Sequence, residues 1–191
     1  MELKIKDDHG IRILTNAGWN GRDKLIVLNP AGGFATRNWP IQNYISFANT
    51  WLKEIGPEVT FLFLGIGRLK EKAATISASL EKIRTINLVD RLTPSESFSV
   101  IRCAHLVLTE DSGLMHMAWV QRVPTLALFG SSPSYWSAPM GHWTKCLNSS
   151  DLPCGNCCSD ICRFGDVRCL TRYSPEQVLE EARKLLVSLV E

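Results

Sequence analysis

Leu25-Ile26-Val27-Leu28, then Asn29-Pro30-Ala31-Gly32-Gly33-Phe34-Ala35-Thr36-Arg37-Asn38-Trp39-Pro40, then a run at helical spacing from Ile41: a strand, a glycine-bearing loop and a helix follow one another directly. The four apolar residues are continuous rather than alternating, as in a strand covered on both faces by helices. Ile41, Tyr44, Ile45, Ala48, Trp51, Leu52 and Ile55 repeat every 3.6 residues between Pro40 and Gly56-Pro57, which marks the helix. The unit then repeats in outline along the chain. Further apolar runs lie at Val59 to Leu64, Ile86 to Val89, Leu106 to Leu108 and Thr125 to Phe129. Between them, Leu69, Ala73, Ile76, Leu80 and Ile83 form a helical stripe. A third helix opens with Thr93, Pro94 and Glu96 as a capping box, and a fourth begins near Ser112. The last opens with Ser174, Pro175 and Gln177 and buries Val178, Ala182, Leu185, Leu186 and Leu189. Parallel neighbours need crossovers and helices supply them, so the pattern predicts an α/β domain with a doubly wound parallel sheet. Residues 1–23 have weak periodicity and read as a linker or a short edge segment, and residues 24–191 as the domain proper.

The totals agree with one domain. A chain of 191 residues is long enough for one well-packed core and short for two. A net charge of +2 gives no bulk attraction for nucleic acid. No apolar run approaches the ~18 residues that span a membrane, and Asp7, Asp8, His9 and Gly10 stand where a secretory signal would be apolar. A cytoplasmic protein is expected, with reduced thiols.

In open α/β sheets ligands bind beyond the carboxyl ends of the strands. After the first strand, Gly32 and Gly33 allow close backbone approach, the following helix offers free N–H groups, and Arg37 adds a cation suited to phosphate. A tight turn with a surface arginine would look the same. After the fourth strand, Thr109-Glu110-Asp111-Ser112-Gly113-Leu114-Met115-His116 is more informative. Asp111 is expected to cap the next helix. The N–H groups of Ser112 and Gly113, the Ser112 hydroxyl and His116 one turn later would then converge on an anion. The plainer alternative is an ordinary cap with a satisfied helix histidine. Glu71, following Gly65-Ile66-Gly67, is a candidate for ribose hydroxyls, and the third strand leads to Arg91-Leu92-Thr93. Trp39, Trp51 and Trp119 are expected in the core. Trp136 and Trp143 fall in the loop after the fifth strand, where cleft or core would suit them.

These residues together resemble the heptosyltransferase family, glycosyltransferase family 9. The resemblance is carried by Asn29-Pro30-Ala31-Gly32-Gly33, Thr36-Arg37-Asn38-Trp39-Pro40, Glu110-Asp111-Ser112-Gly113-Leu114-Met115-His116-Met117-Ala118, and Val123-Pro124 through Phe129-Gly130. The cysteine-rich tail adds to it. It implies a Rossmann-like sheet forming one half of a GT-B fold, the half that binds a nucleotide-sugar donor, usually ADP-heptose. It implies donor contacts from Gly32, Gly33, Thr36, Arg37, Glu71, Leu92, Asp111, Ser112, Gly113 and His116. Arg37 stands where the family more familiarly has lysine, so that match is of charge. Arg37 and His116 would stabilise the leaving diphosphate. The reaction would be inverting and need no metal. Its acceptor would be the lipopolysaccharide core at the inner membrane face, met by a peripheral enzyme. The family's N-terminal domain, which binds that acceptor and carries a base carboxylate, is expected to be absent from this chain. The alternative function is a nucleotide-binding module without catalysis.

Cys154-x2-Cys157-Cys158-x3-Cys162-x6-Cys169 has two readings. Cys154, Cys157, Cys162 and Cys169 have spacings that structural zinc uses, and a compact loop of reduced thiols has them equally.

Overall fold

The computed structural model describes residues 8–81 and 83–189. Residues 1–7 of the expected linker therefore lie outside the described residues. Helix α1 (Asp8–Asn16) is followed by strand β1 (Lys24–Asn29), a 3-10 turn at Ala35–Arg37, and α2 (Ile41–Glu54). Next come β2 (Val59–Phe63), a second 3-10 turn at Gly67–Leu69, α3 (Lys70–Ser79) and β3 (Arg84–Asn87). The second half contains α4 (Pro94–Ile101), β4 (Leu106–Glu110), α5 (Gly113–Val120) and β5 (Thr125–Leu128). It ends with α6 (Ser134–Ser137), β6 (Thr144–Leu147), α7 (Arg168–Thr171) and α8 (Pro175–Val187).

Among the described residues six strands form one sheet in the order β3-β2-β1-β4-β5-β6, every pairing parallel. Strand order reverses between β1 and β4. The crevice at such a point is open because the two following chains leave on opposite faces. Alternation along each strand feeds two separate cores, which is why the runs are apolar on both faces and not on alternate residues only. From β1, Ile26 and Leu28 join Phe47, Trp51, Phe61, Phe63 and Val178 on one face. Leu25 and Val27 join Leu14, Leu62, Val100, Ile101 and Val107 on the other. Leu14 is wholly buried, so α1 is part of the second core and lies against α4. Gly10 sits where a side chain would strike the Ser99 backbone, which explains the close approach of α1 to α4.

Thr144–Leu147 carries no strand signal in sequence, yet it forms β6, an edge strand with a mostly half-buried pattern whose one neighbour among the described residues is β5. Trp119 is half-buried rather than a core residue, and its indole N–H donates to the Met140 carbonyl at 2.7 Å. Trp39 and Trp51 are in the core, each 1% exposed.

Both capping boxes form. At α4 the Glu96 N–H donates to Thr93 Oγ1 (3.2 Å), and the Thr93 N–H donates to the Glu96 carboxylate (2.8 Å). Thr93→Ala removes the hydroxyl that accepts from the Glu96 N–H while keeping the backbone N–H that donates to the Glu96 carboxylate, and is expected to lower stability by about 1 kcal/mol. Urea denaturation of the variant checks this, and an unchanged midpoint would mean that α4 is held by tertiary packing alone.

Candidate functional site

The crevice between β1 and β4 is built from two loops tied to one another. Asn29, the last residue of β1, is fully buried; its amide donates to Thr109 Oγ1 (2.9 Å) and Ser112 Oγ (2.8 Å) on the β4 side. Ser112 is the N-cap of α5, its hydroxyl accepting from the Met115 N–H at 3.3 Å. Asp111 is therefore not the cap, contrary to expectation. Both residue types cap well, but the helix begins one residue later, which frees the Asp111 carboxylate. It lies 3.7 Å from Arg37 Nη1 and accepts from the Ser137 hydroxyl at 3.4 Å.

Arg37 is partly buried, its guanidinium over the Phe34 ring at 5.2 Å. Its Nε is buried without a hydrogen-bond partner among the described residues. Gly32 is pressed against the Arg37 backbone and lies 2.8 Å, measured from a Cβ built on it, from Glu110 Oε2. Gly33, by contrast, is exposed and faces only Arg68 Nη1, at 3.6 Å by the same measure.

Beside this corner is a hollow of ≈ 290 Å³. Ile66, Leu69, Leu92, Leu114 and Met117 give it apolar walls, while Asn29, Arg68, Ser112 and Gly113 supply polar groups at one end. An apolar slot beside a cation and a helix N-terminus suits a nucleoside joined to phosphate. Leu92, Ser112 and Gly113 thus line the same hollow. His116 points elsewhere: with Trp119, Tyr135, Trp136 and Met140 it lines a neighbouring hollow. Trp136 is 67% exposed there, while Trp143 is half-buried and donates its indole N–H to the Trp119 carbonyl. Glu71 is exposed at the start of α3 and lines neither hollow. Thr36 is 2% exposed, its hydroxyl bonded to Ser131 Oγ (2.9 Å) and the Ser159 carbonyl (2.5 Å).

Thr36 lines a third cavity, of ≈ 340 Å³, with Cys154, Cys157, Cys162 and Cys169. These cysteines form no disulfide. Backbone N–H groups of Val167 and Phe164 pull the Cys162 thiol below its usual range. Among the described residues no three His, Cys, Asp or Glu side chains are grouped so as to hold a metal ion, so the thiols do not fit a tetrahedral centre as they stand.

Three charged residues of the site were not singled out from sequence. Arg68 was hidden in an ordinary loop. Lys72, one residue beyond Glu71, reaches back to donate to the Pro30 carbonyl (3.0 Å) and to the Asn38 side chain. Glu110 is wholly buried and accepts from the Gly32 N–H (2.5 Å), the Trp39 N–H (2.6 Å) and the Tyr44 hydroxyl (3.3 Å). Burial pushes its carboxyl up to about 7, against the opposing pull of those hydrogen bonds and of Lys72.

The model of glycosyltransferase family 9 (heptosyltransferase) matches residues 2–168. Lipooligosaccharide heptosyltransferase 2 of Campylobacter jejuni is 27% identical over 171 residues, which is 87% of this chain and 52% of that protein. Among solved structures, Escherichia coli ADP-heptose lipopolysaccharide heptosyltransferase II superposes with a TM-score of 0.81 at 21% identity, over 100% of this chain and 54% of that one. The dodecameric iron-containing heptosyltransferase TibC in complex with ADP-D-β-D-heptose gives 0.64 at 17% identity, over 88% of this chain and 46% of that one. The chain spans about half the length of the curated relatives it matches. No helix among the described residues is long and apolar enough to cross a membrane.

Proposed function

Because the chain belongs to glycosyltransferase family 9, the heptosyltransferases, we propose that it is the donor half of a GT-B enzyme that takes heptose from ADP-heptose to a lipopolysaccharide core acceptor. The observation that carries this reading is the juxtaposition at the strand-order reversal. There an apolar hollow bearing Leu92 opens beside the Ser112-capped start of α5, and the Arg37–Asp111 pair stands close by. The adenosine would occupy the hollow. The diphosphate would meet the first N–H groups of α5, with Arg37 turning from Asp111 to the phosphates. His116, in the adjoining hollow, would face the sugar side of the diphosphate.

In the proposed inverting reaction, a carboxylate on a facing domain deprotonates an acceptor hydroxyl, and the hydroxyl displaces ADP from the anomeric carbon in one step. Charge grows on the leaving diphosphate, and Arg37, His116 and the α5 N-terminus stabilise it; removing one such donor raises a barrier by about 3 kcal/mol. Cationic and backbone donors of this kind supply the charge stabilisation that Mg²⁺ supplies elsewhere, so metal-independent binding is part of the proposal. The site of action would be the cytoplasmic face of the inner membrane, with the enzyme held peripherally.

Calorimetric titration of ADP, UDP, GDP and NAD, with and without Mg²⁺, tests this. ADP is expected to bind without metal in preference to the others. Arg37→Ala should weaken it by about 10- to 100-fold, the worth of a charge-assisted hydrogen bond of about 1.5–3 kcal/mol, and His116→Ala should weaken it less. Equal affinity in both variants and the parent would remove the phosphate site from residues 111–116.

A further inference from the structure

The loop that carries Arg37 is anchored in an unusual way. Gly32 and Trp39 stand at its two ends, and both give their backbone N–H to one carboxylate, Glu110, at the carboxyl end of β4. Each oxygen takes a different end: Oε2 takes Gly32 and Oε1 takes Trp39. Arg37 and its Asp111 contact lie between them. The carboxylate is completely removed from solvent, so no water replaces either tie when it loosens. We propose that Glu110 is a positioning residue for this loop, a buried carboxylate whose ionised form braces both ends and whose protonation slackens the brace and, with it, the hold of Arg37 on a diphosphate.

The chemistry of the carboxyl group supports this. Two N–H donors on opposite oxygens are both well served only by an ionised carboxylate. In the neutral acid one oxygen carries the proton and becomes a poor acceptor. The Tyr44 hydroxyl, 3.3 Å from Oε1, is placed to take that proton in a hydrogen bond, so the neutral form is accommodated at the expense of the Trp39 tie. The groups that face Glu110 are few: Tyr44 from α2, the Gly32 and Trp39 amides from the loop, and Lys72 from α3. Lys72 itself is lowered by burial and feels Arg68, while its ammonium holds Pro30 and Asn38 of the same loop. Burial and these partners oppose each other closely, and the balance puts the proton on or off near neutrality, at about 7. The fold binds this proton more tightly than the unfolded chain does. Glu110 therefore adds stability that is full below about pH 4.5 and is lost as the pH rises through about 7. The ionised form thus costs stability and orders the loop; the neutral form does the reverse.

The diphosphate part of this inference rests on the proposed donor site, and the brace itself does not, so two readouts separate them. In the ligand-free chain labelled with ¹⁵N, the Gly32 and Trp39 amides should titrate together with one midpoint near pH 7 in the parent and show no such step in Glu110→Gln. ADP-glucose is the ligand probe, because its diphosphate diester keeps the same charge, one negative charge on each phosphate, from pH 5 to 9. Its affinity for the parent, divided by that for Glu110→Gln, should fall about tenfold from pH 8 to pH 6, following the braced fraction. Taking the ratio removes any pH dependence that both proteins share. Amides that do not titrate, or that titrate at different midpoints, overturn the brace even if Glu110→Gln fails to fold. A ratio that rises toward low pH also overturns the proposal, since it means the carboxylate repels the diphosphate rather than ordering its loop. If ADP-glucose fails to bind the parent at every pH, the donor-site reading falls, and the amide titration still decides the brace.

Discussion

Gly32→Ala should abolish measurable ADP binding and destabilise the fold by about 1–3 kcal/mol, whereas Gly33→Ala, one residue on, should do neither. The contrast follows from what each new methyl group meets. At residue 33 it meets only Arg68 Nη1, at 3.6 Å, an ordinary contact with the far end of a flexible side chain. At residue 32 it would overlap the Arg37 carbonyl group and approach Glu110 Oε2 to 2.8 Å. Neither neighbour can give way locally. The Arg37 backbone belongs to the 3-10 turn at Ala35–Arg37, and Glu110 is held by Trp39 and Tyr44. The loop must lift, which carries Arg37 away from Asp111 and takes the Gly32 N–H from its acceptor in a place without solvent. Urea denaturation measures the first effect and ADP calorimetry the second. A Gly32→Ala protein that matched Gly33→Ala in both would mean that the loop is free to rearrange and that its observed shape does not matter to the site.

The central sheet was legible because its strands are buried on two faces and carry continuous apolar runs such as Leu25 to Leu28 and Leu106 to Leu108. The edges were harder for the converse reason. Only one side of β6 is paired, and its Thr144-Lys145-Cys146-Leu147 shows no periodicity to find. β3 begins at Arg84, two residues before the apolar run that announced it. The capping boxes were readable because they are local, four residues long and self-contained. Site residues whose role depends on distant chain were not. Glu110 reads in sequence as a polar residue between Thr109 and Asp111; only the pairing of β1 with β4 brings the Gly32 and Trp39 amides to it. Ser112 and Asp111 are equally good caps on paper, and the choice depends on Asn29 reaching across to Ser112. Helical spacing suggested that Ser112 and His116 serve one ligand. With Ser112 outside the helix as its cap, the face lining the apolar hollow is Gly113, Leu114 and Met117, and His116 turns toward Trp119 instead.

Trp39 shows how a residue that marks a family by sequence can be structural in cause. Its ring is 1% exposed, meets Tyr44 edge-on at 4.9 Å, and donates its indole N–H to the Tyr173 carbonyl at 2.9 Å. It thereby joins the loop after β1 to the chain just before α8. Trp39→Ala should cost about 3–5 kcal/mol, the usual range for emptying a buried aromatic site, which for a domain of this size lowers the melting temperature by roughly 10 °C. Trp39→Phe keeps a ring against Tyr44 but leaves the Tyr173 carbonyl without its donor, and should cost about 1–3 kcal/mol. In neither variant is the backbone N–H to Glu110 removed, because that donor belongs to the main chain. The phenylalanine variant should therefore retain ADP affinity within about threefold while melting earlier. If it keeps its melting temperature and loses ADP, Trp39 acts on the ligand, and the assignment of this tryptophan to the core is wrong.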